Sequence, residues 1–231
     1  MAIESIESFA NLATADLALK YAISGTPSID ATSGRWGGPC LRLNNSNQYL
    51  EVAIAAAQTV GQAVAVKLAS LASASVFEFL EGATLHTDIR ILADGTIRAT
   101  RNGTTLGTST LSLLTGLWYH IEAKVKIDNT TGTVDVLVNG VNWLSLTGQD
   151  TQNAGTATAT RIRLGCPVTA ANNLSDWVTW SLTTGPVGDC RVGAKLPSGA
   201  GTNTQMTASA GSNYQCVDEA NQNGDTDYVS E

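Results

Sequence analysis

The sequence predicts an all-β protein, a two-sheet antiparallel jelly-roll sandwich. Three observations carry this. Apolar and polar residues alternate with a period of two over long stretches, Asn-Gly and Asp-Gly pairs punctuate the alternation, and charged residues make up only 14% of the chain. Alternation marks strands with one buried and one wet face, and the glycine pairs supply the positive φ angles of tight hairpins.

The clearest stretch is residues 118–146. Tyr119, Ile121, Ala123, Val125 and Ile127 alternate with His120, Glu122, Lys124 and Lys126, and Val134, Val136 and Val138 continue the rule. Thr131-Gly132 and Asn139-Gly140 separate three runs, so this is a three-stranded meander. A one-residue slip would turn every valine outward, which specifies the register.

Taken in order, residues 3–9 read as a first strand. Helical spacing appears only at 13–21 and at 54–57. Residues 25–38 are a Gly/Pro/Ser-rich loop, followed by strands at 40–43 and 48–54, then 60–68 and 75–80. Residues 86–101 form a hairpin closing at Asp94-Gly95, and Asn102-Gly103 turns again before Leu106. After a polar loop at 148–158, strands resume at 161–166 and 176–182, with a short one at 188–193. From Lys195 the chain becomes rich in Gly, Ser, Thr and Ala. The expectation is one domain over 1–231, with 195–231 a loop-rich segment packing on it or on a neighbour.

Length suffices for one large β domain with its own core. Thirteen basic against twenty acidic residues give a net charge of −7, which argues against a nucleic-acid partner. No apolar run is long enough to span a membrane, and residues 1–7 lack a basic start, so folding in a cytosol is expected. Cys40, Cys166, Cys190 and Cys216 are widely spaced, without a Cys-x-x-Cys pair or a nearby His. They read as free thiols used as small core residues rather than zinc ligands.

Two blocks, Gly34-Arg-Trp-Gly-Gly-Pro-Cys-Leu-Arg-Leu43 with Tyr49-Leu-Glu-Val52, and Leu117-Trp-Tyr-His-Ile-Glu122 with Gly132-Thr-Val-Asp-Val-Leu-Val-Asn-Gly140, resemble the laminin-G-like, concanavalin-A-like superfamily. More narrowly, Leu17-Ala-Leu-Lys-Tyr21, Arg101-Asn-Gly-Thr-Thr-Leu-Gly107, Gly188-Asp-Cys-Arg-Val192, Val217-Asp-Glu219 and Asp225-Thr-Asp-Tyr-Val229 resemble a group of tailed-bacteriophage virion proteins. That resemblance implies a structural component of a phage particle, made in the host cytoplasm, without fixing its place.

Enzyme chemistry finds little in the residues. A glycosidase needs two carboxylates on one groove, and the Glu-x-Asp-x-x-Glu run of glucan-cleaving relatives is missing. Glu122 stands among Lys124 and Lys126 on the wet face of a strand, and His86 and His120 read as surface strand residues. The expectation is therefore no catalytic residue and no enzyme. No cofactor is expected. Calcium is the alternative, with Asn221, Asn223, Asp225 and Asp227 presenting oxygens at alternate positions around Gly224, and Asp128-Asn129 and Asp150 as further oxygen donors that also suit turns. For sugar binding, Trp36, Trp143, Trp177, Trp180 and Tyr49 are the aromatic platforms.

The leading expectation is a non-enzymatic virion protein, a capsid decoration or cement protein. It would be present in many copies and dock on capsid or tail proteins through Ile3, Ile6, Phe9, Tyr214, Tyr228 and Val229. The alternative is a tail- or fibre-associated lectin-like module for host glycans, which requires an exposed Trp beside convergent Asn and Asp side chains.

Overall fold

The computed structural model describes residues 2–45, 47–165, 172–181, 185–192, 207–208 and 229–230. From the N-terminus the chain forms β1 (Ala2–Glu7), a 3-10 turn (Thr14–Asp16), α1 (Leu17–Lys20), β2 (Ala22–Ser24), β3 (Ser28–Asp30), β4 (Cys40–Leu43) and β5 (Tyr49–Ala57). Next come β6 (Thr59–Lys67), β7 (Ala74–Glu81), β8 (Thr84–Ile91), β9 (Thr96–Arg101), β10 (Thr104–Ser112) and β11 (Trp118–Lys126). The last strands are β12 (Gly132–Val138), β13 (Val141–Gln149), β14 (Ala159–Gly165), β15 (Asn172–Ser181), and the short pair β16 (Thr207–Ala208) and β17 (Val229–Ser230).

Two antiparallel sheets form the expected sandwich. One runs β13-β12-β11-β6-β15-β4-β3, with β1 also on β15; the other runs β10-β9-β8-β7-β14-β5-β2. The β11–β12–β13 meander has the predicted register, pairing Ile121 with Val138, Ala123 with Val136 and Val125 with Val134. Asn102 and Asn139 have φ of 43° and 50° and Gly103 and Gly140 follow at 88° and 77°, the geometry that the Asn-Gly pairs predict. Residues 54–57 extend β5 instead of turning helical; β14 pairs with Ala53 and Ala57 on either side of an irregularity. At 13–21 the helical spacing does yield the 3-10 turn and α1.

Between the sheets, Val64, Ile121, Val136 and Leu174 meet Phe77, Phe79, Ile89, Ile162 and Leu164, all buried. One polar side chain crosses this core. Gln62 donates to the carbonyls of Glu78 and Arg163 on the opposite sheet, both at 3.2 Å, and accepts from Trp177 Nε1 at 3.2 Å.

The outer face of the first sheet is not left wet. Residues 185–192 form no strand, contrary to the expectation at 188–193. They lie as a strap across β6, β11 and β15, where Val187, Cys190 and Val192 cover Ala63, Val178 and Trp180 in a second apolar cluster. Trp177 and Trp180 therefore point to opposite faces of β15, as alternation requires, and both are fully buried.

Phe9 is not a surface residue either. The chain turns there with φ of 62°, its amide bonded to Glu7 Oε1 at 2.8 Å, and the ring enters the main core. It is unavailable for a partner contact. Ile3 and Ile6, on the edge strand β1, are about half exposed. The predicted contacts Tyr214 and Tyr228 lie outside the described residues, and for Val229 only its place in β17 is described.

Candidate functional site

The site begins with a glycine loop. In residues 34–38 the Gly37 amide bonds to the Gly34 carbonyl and the Gly34 amide to the Gly38 carbonyl, at 3.0 and 2.8 Å. Gly37 sits at φ 81°, and a Cβ on Gly34 would strike the carbonyls of Gly38 and Pro39. The curl holds Trp36 at the tip, 51% exposed.

Opposite the loop, β15 changes neighbours. Residues 172–174 pair with β4 and residues 177–181 with β1, and the register against β6 slips between Ser175 and Val178. The slip places Asp176 at φ 58° and turns its carboxylate outward into the gap. Asp176 is buried; its Oδ2 accepts from Trp36 Nε1 at 3.0 Å and its Oδ1 from the Val192 amide at 2.8 Å. Arg35 forks onto Asp189 at 2.5 and 2.6 Å, tying the loop to the strap. That pairing raises the Arg35 pKa and lowers the Asp189 pKa. The guanidinium carbons of Arg35 and Arg191 lie 4.9 and 5.6 Å from the Trp36 ring centre. Around these groups is a cavity of about 330 Å³, to which Ser8 and Asn11 add small polar side chains. It offers an exposed aromatic beside Asn, Asp, Ser and Arg, a set suited to sugar rings and hydroxyls. Among the described residues no acid pairs with Arg191.

The other aromatic platforms are occupied. Trp143 packs on the main core, and the Arg163 guanidinium carbon lies 4.3 Å from the Tyr49 ring centre. Around it Arg163 bonds Glu51 at 2.7 Å and Glu78 at 3.2 Å, and Arg161 bonds Glu51 at 2.8 Å. The charges in this row on the outer face of the second sheet satisfy one another.

His86, His120 and Glu122 all contradict the surface reading. His86 is fully buried; its Nδ1 accepts from the Asn153 amide at 2.9 Å and its Nε2 meets the Thr158 carbonyl at 3.1 Å. That network assigns the neutral Nε2–H tautomer, which pins the 150–158 loop, and burial lowers the pKa. His120 and Glu122 are buried by the strap, with Nδ1 and Oε1 3.7 Å apart. Burial lowers the His120 pKa and raises that of Glu122. Among the described residues neither Glu122 oxygen makes a hydrogen bond of ordinary geometry, nor does His120 Nε2 or Trp180 Nε1. The Gly188 and Val187 amides lie close enough to Glu122 to offset part of its burial. Alternation marks which residues leave the core, but it cannot say that a segment more than sixty residues later will cover them.

Cys40 and Cys190 are free thiols, and burial pushes the Cys40 pKa up to about 12. Cys166 and Cys216 lie outside the described residues, as do Asn221, Asn223, Asp225 and Asp227. Asp128 Oδ1 accepts the Thr130 and Thr131 amides, which lower its pKa to about 2, so it serves its turn. Asp150 pairs with Arg101. Among the described residues no group of three His, Cys, Asp or Glu side chains is placed to hold a metal ion. No helix among them is long and apolar enough to cross a membrane.

No family model matches the chain, and no curated protein matches it. Solved structures share its fold. Domain 4 of AbnA, a GH43 extracellular arabinanase from Geobacillus stearothermophilus, in complex with arabinotriose, aligns at TM-score 0.53 and 16% identity over 78% of this chain and 92% of that one. Alginate lyase Aly36B in complex with alginate tetrasaccharide aligns at 0.51 and 13% identity, over 79% and 96%. A sialidase aligns at only 0.47 and 15% identity over 71% of this chain, which spans just 16% of that longer protein. The expectation of a non-enzyme is corrected on two grounds. Structures of this fold include a lyase, and the wet-face reading of His120 and Glu122 that removed them from consideration is wrong. At these identities the likeness is one of fold: an antiparallel two-sheet sandwich of a kind found in carbohydrate-binding and carbohydrate-processing proteins.

Proposed function

We propose that this protein is a carbohydrate-binding module that holds glycans at the Trp36 cavity. The observation that carries this reading is the exposed Trp36, fixed by Asp176 over a cavity shared with Asn11, Ser8, Arg35 and Arg191. A pre-set aromatic with polar neighbours supplies apolar contact to a sugar ring and directional bonds to its hydroxyls without ordering cost at the moment of binding. The two folds named above, each holding an oligosaccharide, support the same class of ligand. The resemblance to phage virion proteins supplies the setting we propose, a particle-borne module meeting host glycans, with Ile3 and Ile6 as its contacts to a neighbouring virion protein. Nothing among the described residues favours capsid decoration over another placement.

The test is a glycan array followed by titration of the best hits against wild type and Trp36→Ala. Trp36 is half exposed and outside the core, so the variant should still fold although Asp176 Oδ2 loses its donor, which a thermal melt checks, and affinity should fall about tenfold or more, the scale of one aromatic contact. An array without hits, or equal affinity in the variant, would overturn the reading.

A further inference from the structure

Resting on the carbohydrate reading of the Trp36 cavity, we infer that its ligand is an acidic saccharide, one carrying a carboxylate or a sulfate, and that Arg191 selects it. Among the described residues every Lys and Arg pairs with an acid except Lys67, Arg98 and Arg191. Of these three only Arg191 lines the cavity. It is exposed, and its guanidinium carbon stands 5.6 Å from the Trp36 ring centre. A guanidinium held over an indole keeps its N–H fork for another partner, and that fork matches two oxygens of a carboxylate or a sulfate.

The strap sets this cation in place before anything binds. Two residues before Arg191, Asp189 holds the fork of Arg35 at 2.5 and 2.6 Å. One residue after it, the Val192 amide donates to Asp176 Oδ1 at 2.8 Å. Anchors on both sides reduce the cost of ordering the chain around a ligand. The other charges at the cavity are engaged. Arg35 is neutralised by Asp189, and its side chain is only 14% exposed. Asp176 is buried, and each of its oxygens already accepts an N–H. Arg191 is thus the charge that an entering group meets. The net charge of −7 gives the chain no general attraction for anions, and charges beyond about 8 Å are screened at physiological salt. Selection therefore falls to a local cation. A hydroxyl would satisfy its donors, but an ionised acceptor makes a bond roughly twice as strong.

The experiment screens an array holding uronate-, sialate- and sulfate-bearing glycans beside their carboxyl-reduced or desulfated counterparts. The best pair is then titrated by calorimetry against wild type, Arg191→Gln, Arg191→Glu, Arg98→Gln and Trp36→Ala, each checked for folding by a thermal melt. The acidic member should bind wild type about tenfold or more tightly than its neutral counterpart, the scale of one hydrogen bond between charged groups. That preference should vanish in Arg191→Gln and reverse in Arg191→Glu. Arg98→Gln removes the same charge from β9 in the other sheet and should keep the preference. A preference abolished by carboxyl reduction identifies a carboxylate and one abolished by desulfation a sulfate, and either supports the assignment. Equal affinity for acidic and neutral members, with both weakened in Trp36→Ala, would overturn the acidic ligand and leave the carbohydrate site standing. A preference that survives Arg191→Gln, or is lost equally in Arg98→Gln, would overturn the role of Arg191. An array without hits would overturn both readings.

Discussion

The indole of Trp180 on β15 rests on the backbone of Gly61 on β6: a Cβ on Gly61 would fall less than 3.0 Å from Cε2, Cζ2 and Nε1 of the ring. Register pairs the two residues directly, so only a glycine lets the indole lie against the sheet beneath the strap.

Gly61→Ala should therefore destabilise the protein by about 1–3 kcal/mol, the usual cost of overpacking a filled site. Gly155→Ala, where a Cβ would meet nothing within 4 Å, should change stability by no more than about 0.5 kcal/mol. Urea denaturation of both variants beside wild type measures the difference, and equal midpoints would refute the contact.

Asp176 acts on the site by positioning Trp36. Asp176→Ala removes the acceptor for Trp36 Nε1 and for the Val192 amide and leaves an alanine at φ 58°. Stability should fall by about 2 kcal/mol or more. Asp176→Asn tolerates the left-handed backbone and keeps one acceptor oxygen, so it should fold nearly as well yet bind glycan more weakly. Thermal melts with parallel titrations separate the two effects.

Glu122 and His120 give opposite pH dependences. Burial raises the carboxyl above its ordinary 4.5, with Asp189 adding to the effect, and lowers the imidazole below its ordinary 6.5. The neutral carboxyl favours the fold fully below 4.5, and that contribution is lost as pH rises through the folded value. The neutral imidazole contributes fully above 6.5, and its share is lost as pH falls through its own folded value. Glu122→Gln should thus gain stability over wild type as pH rises from about 4 to about 8. Melting curves across that range show it; a gap independent of pH would mean that Glu122 is not held neutral.

Gln62 joins the sheets through three hydrogen bonds inside the core. Gln62→Ala would strand Trp177 Nε1 and two carbonyls and open a cavity. A loss of about 2–4 kcal/mol is expected, the sum of a cavity and unpaired polar groups. Chemical denaturation measures it directly.

The hairpins and the meander were legible because their strand pairing is local. The meander of β11–β13 and the turns at Asn102-Gly103 and Asn139-Gly140 depend on neighbours a few residues away. The candidate site was legible only in part. Trp36 stood among five aromatic candidates, but its partner Asp176 lies 140 residues on, brought there by an irregularity in β15 that no spacing announces. Glu122 read as wet because alternation reports a side chain's direction and not what covers it.

By itself, then, the sequence determined the two-sheet sandwich, the register of the β11–β13 meander, and the set of aromatics from which a platform could be drawn, since period and turn chemistry are properties of short segments. The tertiary structure alone decided that residues 185–192 would lie as a strap over the first sheet. By covering one face, that strap buries His120, Glu122 and Trp180, leaves Trp36 exposed, and bounds the cavity. Burial is a property of distant segments brought together, and local alternation carries no record of it.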